Sequence, residues 1–160
     1  MLTMAEAMSL DAPADTEVVV VATGCEEAGT VGMQAFLRKH REELARSWII
    51  NIDNVGAGEV HYTTREGMLV PHRTGKELTQ TAAKVAKLPG IQVTGAAFRT
   101  MSNDTEPALL RGLEAMTVIA TRDGVPVNWH WKTDTFDAID ADTVDMAYRF
   151  VEQVVRRLIV

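Results

Sequence analysis

Leu2, Ala5, Met8 and Ala12 recur at helical spacing, so the chain is expected to open inside an amphipathic helix. The continuous β-branched run Glu17–Thr23 predicts a strand buried on both faces of a parallel sheet. Past the loop Gly24–Gly29, apolar Val31, Met33, Phe36, Leu37 and Leu44 predict a helix running to about Arg46, and Trp48–Ile52 is the next strand. Strand, helix and strand make a right-handed βαβ unit, which brings the carboxyl ends of both strands to one sheet edge.

Val60–Thr64 reads as a strand, Thr74-Gly75 introduces a helix through Ala86 that Pro89-Gly90 stops, and Ile91–Phe98 is a further strand. A short helix from Glu106 to Arg111 ends at Gly112, and Met116–Ala120 is another buried strand. From Arg122 to Ile139 no helical or strand period repeats, and structureless loops of this length in compact domains tend to be functional. Asp140 or Asp142 caps a last helix that sets Val144, Tyr148, Val151, Val155 and Leu158 on one face. The fold class is therefore α/β, a three-layer α/β/α arrangement around a mostly parallel mixed sheet.

Composition narrows the function classes. With 160 residues, 46% hydrophobic and 24% charged, the chain is expected to form one globular domain over residues 1–160. A net charge of −6 repels a phosphate backbone, which makes nucleic acid a poor partner. No apolar run approaches the roughly 20 residues of a membrane helix, and no basic region precedes an apolar core at the start, so a cytoplasmic location is favoured. The single Cys25 excludes an intrachain disulfide.

In open α/β sheets ligands sit beyond the carboxyl ends of the strands. The residues just past three of these ends are Glu26-Glu27, Asp53 and, in the long loop, His130. Carboxylates and an imidazole converging there are donors of the kind zinc takes, and one of two adjacent glutamates can bind metal while the other serves as a base. Singly, each residue reads as well as a solvated loop residue; their shared edge favours a site. Ser102 reads as a cap before the short helix, since no Gly-x-Ser-x-Gly elbow surrounds it.

Four segments carry a family resemblance. Val21–Gly29, Asn51–Gly56 and His130–Thr135 with Ile139-Asp140 resemble successive motifs of the co-catalytic zinc aminopeptidases, a group that includes bacterial leucyl and Streptomyces-type aminopeptidases, with glutamate carboxypeptidase as a relative. Ser102-Asn103-Asp104 resembles the family's Ser-Asp stretch, with Asn103 as a departure. The span from Asp53 to His130 is too short for the inserted dimerisation domain of the related carboxypeptidases, which favours the aminopeptidase branch. The resemblance implies a zinc exopeptidase acting on peptides or other acylated amines. It makes Glu26 the general base, Glu27 and His130 ligands of one zinc, and Asp53 a ligand of the second.

The family's first metal-binding His and its bridging Asp have no counterpart here, because no His precedes His40, and Asp11 and Asp15 fall after the expected opening helix whereas the family's bridging Asp precedes it. The chain thus resembles the carboxyl-terminal part of the family's catalytic domain, with amino-terminal strands missing, and is expected to bind zinc weakly and to leave peptides uncleaved on its own. An exposed sheet edge and uncovered apolar faces are expected to favour self-association. The alternative reading is a noncatalytic binding or assembly module of the same fold.

Overall fold

The computed structural model describes residues 3, 6, 7, 13, 15–68, 70–99 and 101–159. Leu2, Ala5, Met8 and Ala12, on which the opening helix was expected, lie outside them. Thr3, Glu6 and Ala7 are helical, and from residue 15 on the described residues form the helices α1 (Val31–Lys39), α2 (Lys76–Val85), α3 (Glu106–Leu109) and α4 (Ala141–Leu158) around a sheet of six strands. The strands are β1 (Trp48–Asp53), β2 (Glu59–Glu66), β3 (His72–Arg73), β4 (Thr94–Phe98), β5 (Glu114–Arg122) and β6 (Val125–Pro126).

The sheet runs β1-β5-β2-β3, with β4 also on β2 and β6 also on β5. It is mixed: β1 lies parallel to β5 and β4 parallel to β2, whereas β2 runs antiparallel to β5. β5 is the centre, and Ala115 through Thr121 are all buried, because helices cover both faces. Met116, Val118 and Ala120 face the larger core with Val60 and Tyr62, under Leu78, Ala82 and Val85 of α2 and Phe150, Val151 and Val154 of α4. Alternation sends Ala115 to the opposite face, where Met33 and Leu37 of α1 and Ala108 of α3 close the smaller core. Asp140 caps α4 by accepting from the Asp142 backbone N–H at 3.0 Å, which fulfils one of the two capping assignments.

Two expectations are corrected. Glu17–Thr23 forms no strand: Val18, Val19 and Val20 are 38%, 59% and 42% exposed, and the segment pairs with nothing in the sheet. It stands off from β1 across a cavity of about 680 Å³ lined by Val18, Val20, Ile49, Ile50, Phe36 and Val155. A ladder requires strands less than about 5 Å apart, so the β-branched run has no partner to bond and the expected βαβ unit does not close. The helix expected to reach Arg46 ends at Lys39, and Glu43–Arg46 continues as a 3₁₀ turn. The long segment from Arg122 to Ile139 contains β6 and a 3₁₀ turn at Phe136–Ala138 but is otherwise irregular.

Candidate metallopeptidase site

Glu26 and Glu27 occupy the turn that enters α1. The Glu26 carbonyl accepts from the N–H groups of Gly29 at 2.9 Å and Thr30 at 2.7 Å, while Val31 and Gly32 donate to the carbonyls of Cys25 and Gly24. The last pairing brings two backbones together, since a Cβ on Gly32 would lie 2.2 Å from the Gly24 oxygen. Glycine is therefore needed at 32 for the turn to close.

Asp53 ends β1, opposite Ile119 of β5. The chain reverses immediately afterwards at Asn54, whose φ is 46°. His130 sits in the long loop with φ 60°, its ring stacked on Trp129 with centroids 4.1 Å apart. His130 Nε2 lies 2.6 Å from Glu27 Oε1, and the two side chains are 53% and 70% exposed.

Asp104, to which the sequence reading gave no role, belongs to the same neighbourhood. Thr23 Oγ1 donates to its Oδ2, while its Oδ1 is buried and has no partner. Burial raises the Glu26 carboxyl above the ordinary glutamate range, reinforced by the charges of Glu27, Asp53 and Asp104 and opposed by His130. Asp53 is raised too, first by burial and then by Asp104, with a smaller push from Glu27; the Asn54 backbone N–H works against the rise. Glu26 and Asp53 thus sense the neighbouring carboxylates, and Glu26 also the imidazole. Such an excess of negative charge at a sheet edge attracts cations.

Ser102 is not the cap expected of it. Its hydroxyl donates to the Glu106 carboxylate, and the first turn of α3 receives no side-chain cap. No sequence signal singles out Asp104: it is the structure that shows Asn103 Oδ1 accepting the Thr105 N–H, which leaves the aspartate without a capping duty.

For zinc, the donor types are right and their number is short. Among the described residues no three His, Cys, Asp or Glu side chains gather closely enough to hold a metal ion. Glu27 and His130 make a pair, whereas catalytic zinc takes three protein ligands. The described residues therefore do not build a complete zinc site by themselves.

Carboxylates and an imidazole thus gather beside a mixed sheet covered by helices on both faces, an α/β fold. The chain belongs to peptidase family M28, whose model matches residues 1–155. BSAP, a zinc aminopeptidase from Bacillus subtilis, superposes with a TM-score of 0.81 at 22% identity, over 99% of this chain and 39% of that one. The aminopeptidase from Aneurinibacillus sp. strain AM-1 gives 0.67 at 23% identity, over 84% of this chain and 32% of its own. The LapA aminopeptidase of Legionella pneumophila gives 0.70 at 15%, over 86% and 38%. These likenesses establish the fold, and the chain spans about two-fifths or less of each neighbour. No curated protein matches the chain by sequence. Among the described residues no helix is long and apolar enough to cross a membrane.

Proposed function

We propose that the chain carries the proton-transfer group and part of the donor set of a zinc-dependent aminopeptidase, which removes amino-terminal residues from peptides or related acylated amines. The observation that carries this reading is the contact between Glu27 and His130 at 2.6 Å, with Glu26 and Asp53 facing the same edge. Membership of a peptidase family and the zinc aminopeptidases among the structural neighbours support it.

In hydrolysis, a water oxygen adds to the scissile carbonyl carbon, the C–N bond breaks, and a proton must pass from that water to the departing amine. Glu26 is suited to carry that proton, because burial and three neighbouring carboxylates make it a stronger base than a solvated glutamate. Glu27 and His130 are the donors proposed for one zinc and Asp53 for the second. With only two donors in contact, zinc binding by this chain is expected to be weak and unassisted peptide cleavage absent.

Calorimetric zinc titration of the chain and of its Glu27→Ala and His130→Ala variants tests the reading. Binding that weakens in both variants upholds it, and an affinity indifferent to both removes it. A second reading, a noncatalytic module of this fold, is favoured by the lack of any three-donor cluster among the described residues. Zinc-dependent hydrolysis of an aminoacyl anilide by the purified chain would exclude that alternative.

A further inference from the structure

The segment that delivers Glu26 and Glu27 has an unusual support. From Glu17 to Cys25 it joins no ladder, and a cavity separates it from β1, so the sheet does not hold it as it holds Asp53. On its carboxyl side, Gly24 and Cys25 are held by the amides of Gly32 and Val31 at the start of α1. One residue before Gly24, the Thr23 hydroxyl donates to Asp104 across 81 residues of sequence. Asp104 precedes α3, which packs against β5, so its position is set by the folded domain.

Asp104 is an expensive choice for a purely structural tether. The residue is only 7% exposed, and one of its two carboxylate oxygens is buried with no hydrogen-bond partner. A buried, half-satisfied carboxylate opposes folding, and a neutral pair of the same shape would anchor the segment without that penalty. Buried polar groups kept against their own solvation preference are characteristic of sites where geometry must be held.

We propose that Thr23 and Asp104 are positioning residues of the site: their hydrogen bond fixes the turn bearing Glu26 and Glu27 and so sets Glu27 against His130. This deepens the aminopeptidase reading and rests on it for its functional meaning, although the geometry itself needs neither metal nor substrate. The absence of sheet pairing makes the bond matter. A strand in a ladder would be placed by its backbone along its length, whereas here backbone amides hold Gly24 and Cys25 and, one residue upstream, the Thr23 side chain ties the segment to Asp104.

Amide hydrogen exchange and imidazole ¹⁵N resonances of the metal-free chain test the proposal. Thr23→Val keeps the shape and removes the donor; it is expected to speed exchange of the Val31 and Gly32 amides about tenfold or more and to move the His130 Nε2 resonance toward that of a free imidazole. Thr23→Ser restores the hydroxyl and is expected to return both signals to those of the parent. Asp104→Ala should reproduce the effect of Thr23→Val, and the amides of α4 serve as the internal control for global stability. Unchanged Val31 and Gly32 exchange together with an unmoved His130 resonance in Thr23→Val overturns the proposal. Because no metal enters these measurements, the tether and the peptidase reading fail separately: zinc binding indifferent to Glu27 and His130 removes the second and leaves the first intact.

Discussion

His130 Nε2 and Glu27 Oε1 stand 2.6 Å apart although 103 residues separate them in the chain. Both side chains are more than half exposed, so water screens the pair and its contribution to folding is small. Glu27→Ala and His130→Ala are expected to change the unfolding free energy by at most about 1 kcal/mol in urea titrations. The same variants are expected to weaken zinc binding by about tenfold or more in calorimetry, since each removes a proposed donor. A large stability loss with unchanged metal affinity would make the contact structural.

Glu26 should respond to its neighbours with opposite signs. Its carboxyl is raised first by burial, then by the charges of Glu27, Asp53 and Asp104, and it is lowered by His130. A ¹³C carboxyl titration is expected to show a Glu26 midpoint above the ordinary glutamate range. Asp53→Asn and Asp104→Asn should each bring it down, because each removes a negative neighbour, while His130→Ala should raise it further. Indifference to all three would mean that these groups do not face one another in solution.

Glu66 is 1% exposed, and its pH behaviour follows from its surroundings. Thr63 donates to its Oε1, the Thr117 N–H does so at 3.0 Å, and Thr117 Oγ1 donates to Oε2 at 2.9 Å. Burial nevertheless outweighs these bonds and a contribution from Asn103, and the carboxyl is raised. The folded chain therefore holds a proton that the unfolded chain releases as pH rises past the ordinary glutamate range. The stability gained is complete below that range and is lost as pH climbs through the raised value. Urea unfolding across pH should show this decline, and Glu66→Gln should flatten it. Glu66→Ala should cost roughly 3 kcal/mol, because it strands buried donors on Thr63 and Thr117.

Gly32→Ala is expected to destabilise the chain by about 1–3 kcal/mol, since the new methyl would meet backbone rather than a movable side chain. Its local signature should be loss of the Gly32 to Gly24 hydrogen bond, read as faster amide exchange at Gly32. A stability equal to the parent would show that the two backbones can separate without penalty.

The outer edge of β1 has no ladder partner among the described residues, and Val18, Val19 and Val20 are exposed beside it. Such an edge pairs readily with another chain. Concentration-dependent sedimentation toward species larger than a monomer is expected, and a single monomeric boundary at every concentration would refute it.

Local pattern revealed the elements whose order depends on local chemistry. The β-branched, alanine-containing stretch at β5, the helical period of α4 and its Asp140 cap all carry their own signal, and the structure realises each. Glu17–Thr23 misled because β-branched residues state a preference for extension without supplying a partner edge. The burial of Glu66 was illegible for another reason: β2 shifts register between Thr63 and Arg65, and the shift accompanies a glutamate turned into the core at a place where simple alternation offers no cue. As candidates, Glu26, Glu27, Asp53 and His130 could be nominated from their acidic and imidazole chemistry and the motifs around them, and Glu27 meets His130 although the strand expected before the glutamates does not form. Asp104 could not, since its importance lies in an oxygen that bonds to nothing.

Each loop that brings a proposed metal donor to the sheet edge bends on a side-chain-bearing residue in the left-handed region: Cys25 at φ 56° before the glutamates, Asn54 at φ 46° after the aspartate, and His130 itself at φ 60°. A residue with a Cβ resists that conformation, whereas glycine adopts it freely. Selection for heat resistance alone would therefore drift toward glycine at these three corners, relieving torsion at the rim. At the third corner the gain would erase the imidazole, so a hardier descendant of this chain would also be a chemically poorer one.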